Sequence, residues 1–144
     1  LRRLRFALPG AMPEVMGKVE EIEAFLLEAG CAPAPAQQLT IVAEEILTNI
    51  AQNAWAGAAP GQCLVDVVAD PRPDAVRVSL RTEDDGVAFD PLAAAEPDLD
   101  APLEEREIGG LGIHLIRAMT DQQTYRRENG LNVLAVEKLC ARGG

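Results

Sequence analysis

The chain has 144 residues, enough for one ordinary domain with its own core. Hydrophobic residues make up 48% and aromatics only 3%, so that core must be built from Leu, Val, Ile and Ala. A formal net charge of −10 argues against a nucleic-acid partner, and no apolar run approaches the roughly 20 residues of a membrane-spanning helix.

The first strand is expected over residues 2–8, with Leu4, Phe6 and Leu8 on one side and Arg3, Arg5 and Ala7 on the other. Pro9-Gly10 ends it. A helix follows over about 13–29, where Val15, Val19, Ile22 and Leu26 recur at helical spacing, and Gly30 marks its exit. The Pro/Ala stretch 31–36 reads as a short linker. A second helix is expected over about 36–56, with Leu39, Val42, Ala43, Ile46 and Ile50 as its buried stripe. Strands near 62–69 and 75–82 come next, joined by the turn Pro71-Arg72-Pro73-Asp74. From Asp84 to Gly112 periodicity is lost, which marks a functional loop or lid in a compact domain. Helix returns near 111–120. Strands over about 122–128 and 131–139 close the chain around Glu128-Asn129-Gly130, a hairpin turn. The order β-α-α-β-β-α-β-β predicts an open sheet with helices on one face.

Three clusters are candidates for chemistry. On the second helix, Glu45 and Asn49 are four residues apart and point roughly the same way, and Asn53 continues the row. A carboxylate at the edge of an apolar stripe is suited to accept a proton, and an amide oxygen beside it is a hard ligand suited to Mg²⁺. Alone, the row also describes an ordinary polar edge. The second cluster, Asp84-Asp85-Gly86, follows a strand. There an acidic side chain can accept a hydrogen bond from an amino group, and glycine admits a sharp turn and a flat ligand. Plain turn chemistry fits it as well. The third, Gly109-Gly110-Leu111-Gly112, precedes or opens a helix, where free N–H groups suit phosphate and a simple helix entry is the alternative. No GxxxxGK[ST] is present, so this is not a P-loop.

In this order, the clusters resemble the nucleotide site of the GHKL superfamily, and within it the RsbW-type anti-sigma serine kinases. The resemblance runs over nearly the whole chain. It implies an α+β fold: a two-layer α/β sandwich of the Bergerat type, with a mixed, mostly antiparallel sheet and helices on one face. It treats residues 1–144 as one histidine kinase-like ATP-binding domain with an ATP lid at about 91–108. It gives Glu45 the catalytic role and Asn49 the metal. Asp84, Gly86, Gly109, Gly110, Gly112 and Asn53 fall to the nucleotide. The cofactors implied are ATP and Mg²⁺. The implied activity is phosphorylation of a serine on a STAS-type anti-anti-sigma protein, with a sigma factor regulated by binding and a homodimer as the assembly.

Two features depart from the pattern. Where many relatives carry His and an aromatic, this chain has Asn53 and Trp55, and Arg106 is the lid's only basic residue. They motivate an alternative, a nucleotide-gated protein-binding switch with little or no kinase activity. A start at Leu1 rather than Met also admits a module of a larger signalling protein. Cys31, Cys63 and Cys140 are odd in number and lack metal-ligand spacing, so reduced thiols in a cytoplasmic protein are expected. His114 is expected at the surface or as a cap, Trp55 in packing, and Arg126-Arg127 in solvent.

Overall fold

A computed structural model describes residues 1–8, 12–55, 61–93 and 110–143. Among these residues five strands and three α-helices are formed: β1 (Arg2–Ala7), α1 (Met12–Glu28), α2 (Pro33–Asn53), β2 (Cys63–Pro71), β3 (Ala75–Asp84), α3 (Gly110–Met119), β4 (Gln122–Glu128) and β5 (Leu131–Ala141). The sheet order is β1-β2-β3-β5-β4, and each pairing among these strands is antiparallel. α2 lies between α1 and α3. This is the two-layer architecture expected of a Bergerat-type ATPase fold.

The inner face of the sheet follows from strict alternation. Val65, Val67 and Ala69 on β2, Val76, Val78 and Leu80 on β3, and Val136 and Cys140 on β5 are all buried. They meet Val15, Val19, Ile22 and Leu26 of α1 and Leu39, Val42, Ala43, Ile46 and Leu47 of α2. Fully burying side chains of this size stabilises the fold by about 1.5–3 kcal/mol each. The outer face carries charges instead. Arg77 donates to Glu137 at 3.0 Å, Arg126 pairs with Glu128 at 2.7 Å, and Arg3 Nε donates to Asp66 at 2.8 Å.

Local chemistry sets the helix ends. α1 stops at a Schellman motif: Gly30 adopts φ 101°, its N–H reaches Leu27 O at 3.1 Å, and Cys31 N–H reaches Leu26 O at 3.1 Å. The expected linker 31–36 is a correction. α2 begins at Pro33, because a first turn has spare N–H positions that Pro33 and Pro35 fill without losing a bond, while Ala32 before them is extended at ψ 154°. α2 also ends earlier than expected, at Asn53. Ala54 N–H still reaches Ile50 O at 2.9 Å, but Ala54 O accepts Val87 N–H at 2.7 Å, so the loop after β3 terminates the helix.

Asn129 at φ 53° and Gly130 at φ 77° make the hairpin turn between β4 and β5, as their sequence suggests. β3 is two residues longer than expected and ends on Asp84, which pairs in register with Cys63 on one side and Asn132 on the other. The longer strand carries Asp84 into the ladder at one end of the inner face.

Candidate functional site

The site is organised around the last turn of α2. Glu45 and Asn49 are half-buried on that helix, and Asn53 is exposed one turn further on. Asn53 Nδ2 donates to Asn49 Oδ1 at 2.8 Å and to Asn49 O at 3.1 Å. The third member of the row therefore acts first on the second, holding its amide. One lone pair of Asn49 Oδ1 stays open to a hard cation. Among the described residues no group of three or more His, Cys, Asp or Glu side chains comes together.

The Asp84 loop is pressed directly onto the end of α2. A Cβ on Gly86 would stand 2.4 Å from Ala54 O and 2.6 Å from Ala54 Cβ, so only glycine fits. The close approach of helix and loop, visible only in the fold, is a reason for this glycine in addition to its turn. Val87 N–H then bonds Ala54 O, and Arg127 donates to Gly86 O at 2.9 Å. Arg127 thus braces the loop while remaining exposed to solvent, as expected. Arg126 keeps to the exposed outer face.

Asp84 is buried, 5% exposed, and its Oδ1 accepts Gly86 N–H and Asn132 Nδ2, each at 3.0 Å. Asp85 turns away from it. Its Oδ1 accepts the Trp55 indole N–H at 2.8 Å and Gln62 N–H at 2.9 Å, which ties the end of α2 to the start of β2. The Trp55 bond first of all holds the Asp85 carboxyl below the usual carboxylate range; desolvation opposes it, and the Gln62 N–H adds to the lowering. Trp55 also packs on the core as expected.

Burial first, then the negative charges of Asp84, Asp85 and Glu83, pushes the neighbouring Cys63 thiol up to about 12, so it stays neutral. Each of the three cysteines is buried and free. Thr82 lies on the same inner face two residues before Asp84, and its buried hydroxyl has no partner among the described residues.

Of the glycine cluster, Gly110 and Gly112 form the first turn of α3, which packs beside α2. Gly109 and Arg106 lie outside the described residues, as does most of the expected lid. At its start Pro91–Ala93 forms a 3-10 turn, opened by Leu92 N–H bonding Asp90 Oδ1 at 2.8 Å and bound from α3 by Arg117 donating to Leu92 O. His114 is half-buried.

Asn132, Tyr125, Arg117 and Arg127 are site residues that sequence reasoning missed. The one available signal was Asn132, a polar residue among Leu131, Val133 and Leu134 in a strand. A depression on the outer sheet face, bordered by Val68, Asp70, Arg77 and Glu137, contains none of the candidate residues.

A buried carboxylate at a strand end, a glycine pressed on a helix, and a second glycine-rich helix start beside it define a nucleotide-binding domain of the GHKL kind. The family described as histidine kinase-like ATPase domain matches residues 7–138, and the chain belongs to it. The chain is also similar to the serine/threonine-protein kinase BtrW of Bordetella bronchiseptica, with 33% identity over 98 residues. That stretch covers 68% of this chain and 66% of the kinase, just under two thirds of the relative's length.

Proposed function

We propose that this domain binds Mg-ATP along the second half of α2 and transfers its γ-phosphoryl group to a serine of a STAS-type anti-anti-sigma protein, regulating a sigma factor by binding. The observation that carries this reading is the junction of Ala54 with Gly86 and Val87. It presses the Asp84 loop onto the end of the helix that carries Glu45 and Asn49, which supports a shared site.

In this reading Asp84 accepts the amino group of adenine. The first-turn N–H groups of α3, which have no acceptor inside the helix, face phosphate oxygens. Asn49 contributes the protein oxygen to Mg²⁺, which supplies charge neutralisation during phosphoryl transfer. Glu45, four residues earlier on the same face, orients or deprotonates the incoming serine hydroxyl. The similarity to a serine/threonine-protein kinase supports a hydroxyl acceptor. The lid over about 91–108 excludes water when the site is filled.

Incubation with Mg-ATP and a cognate antagonist tests the proposal. Wild type yields phosphoserine, and Glu45→Ala lowers the transfer rate by about 10²–10⁴-fold while nucleotide affinity changes little. Undiminished transfer in Glu45→Ala removes that residue's role, and no phosphoserine with wild type removes the kinase.

One observation favours a second reading, a nucleotide-gated binding switch with little turnover. Asn49 Oδ1, the proposed metal ligand, already accepts the amide of Asn53. In a switch, partner and nucleotide alter each other's affinity by the same factor. A partner that leaves nucleotide affinity unchanged eliminates this version.

A further inference from the structure

Asp84 can read a base only if its carboxylate is aimed, and the residue that aims it sits on another strand. Asn132 is the in-register partner of Asp84 across the β3–β5 ladder, and both side chains are buried. Its amide is saturated. Oδ1 accepts the Tyr125 hydroxyl at 2.6 Å and Phe89 N–H at 3.2 Å, while Nδ2 donates to Asp84 Oδ1 at 3.0 Å and to Val87 O at 2.8 Å. A reversed amide would set its NH₂ against the N–H of Phe89 and its oxygen against the carbonyl of Val87. Two fixed backbone groups therefore decide the orientation, and the Tyr125 hydroxyl must donate, since an amide oxygen has only lone pairs to offer.

The result falls on Asp84. Both lone pairs of its Oδ1 are taken, one by Gly86 N–H and one by Asn132. Oδ2 accepts nothing from a described residue, and it is not among the fully buried unpartnered atoms. Oδ2 is thus the carboxylate oxygen left for a ligand, and the two bonds to Oδ1 fix the carboxylate plane. Val87 and Phe89 lie in the segment leading to the 3-10 turn at Pro91–Ala93, so the same amide also anchors the root of the expected lid.

We propose that Asn132, oriented by Phe89 N–H and Val87 O and braced by the Tyr125 hydroxyl, is a positioning residue that aims Asp84 Oδ2 at the exocyclic amino group of the nucleotide base and ties that carboxylate to the Val87–Phe89 segment. This rests on the nucleotide-binding reading above. It assigns base discrimination to a Tyr125–Asn132–Asp84 relay, with Arg127 and the neutral Cys63 as the other polar groups around Asp84 and its loop.

The test compares ADP with inosine diphosphate, which has the same ribose and phosphates but an oxo group in place of the amino group. Calorimetry with Mg²⁺ is run on wild type, Tyr125→Phe and Asn132→Asp. Wild type should prefer ADP by about ten- to hundredfold, the range of a hydrogen bond to a charged group. Tyr125→Phe keeps the ring and removes one of the two donors to Asn132 Oδ1, and should shrink that preference about three- to tenfold. Asn132→Asp removes both donors and sets a carboxylate against Asp84, and should bring the preference close to parity.

Inosine diphosphate affinity should stay within about twofold of wild type in both variants. A general loosening of the fold would weaken both nucleotides alike, and that result overturns the proposal. So does an ADP preference unchanged in either variant. If Asn132→Asp does not fold, Tyr125→Phe decides alone. A wild type that binds neither nucleotide removes the nucleotide reading itself, whereas wild-type preference for ADP with unaltered variants removes the relay alone.

Discussion

The two faces of the sheet use polar groups in opposite ways. On the outer face, ion pairs such as Arg77–Glu137 and Arg126–Glu128 bring full charges together in contact with water. On the inner face, one row at the end of the sheet holds Cys63, Asp84 and Asn132, a buried set with few formal charges. The outer pairs can be lost with little consequence, because water competes for each partner and the side chains lose entropy by pairing. The inner row cannot, because a group there that loses its partner has no solvent to turn to. Number of charges is therefore a poor guide to where polar chemistry matters in this protein; the shortage of alternatives is the better one.

Substitutions and pH can break or sharpen this contrast. The largest effect is expected from Gly86→Ala. Its new Cβ meets a backbone oxygen at 2.4 Å, so loop and helix must part. Stability should fall by about 1–3 kcal/mol in denaturant unfolding, as for overpacked cores. Nucleotide affinity should fall with it. A stable variant that binds normally would mean that α2 and the loop need not touch.

An intermediate effect is expected on acidification. Asp85 is held below the ordinary carboxylate range by Trp55 and then Gln62. A lowered folded value means that this tie contributes above the unfolded carboxylate value of about 3.9 and is lost as pH falls through the folded one. Trp55 is the only tryptophan, so its fluorescence reports the event alone. The emission should hold steady from neutral pH to about pH 4 and shift below it. Asp85→Asn should abolish the step, and a step that survives in that variant belongs to another group.

The smallest effect is expected on the outer face. Arg77→Gln should change stability by no more than about 0.5 kcal/mol, and the difference should vanish in high salt. A loss of several times that size would erase the distinction between the faces.

Much of the architecture was legible because it rests on local rules. The alternation of Val76, Val78 and Leu80 and the spacing of Val15, Val19, Ile22 and Leu26 each mark one buried face, and Asn129-Gly130 has the backbone freedom its turn requires. Asp84 and Gly86 stood out by type and position. Asn132 and Tyr125 did not, because their role depends on which residue lies opposite on a neighbouring strand, and no spacing along the chain encodes that register. Ala54 was silent for a similar reason: its contribution is a backbone carbonyl. Pro33 and Pro35 misled in the other direction, since proline reads as a break unless the first turn of a helix is recognised.

The turn between α1 and α2 has a further implication. Ala32 N–H bonds Ala141 O at 2.8 Å, Gly143 N–H bonds Gly30 O at 2.9 Å, and Cys31 bridges Arg142. The tail of β5 thus staples the helical layer to the sheet just where α2 begins. At its far end, about 30 Å away by helix geometry, the backbone of α2 is latched by the Ala54–Val87 bond. A beam clamped at one end and latched at the other transmits a push at the latch as a swing about the clamp, so the chain carries its own fulcrum at the end remote from the Asp84 loop.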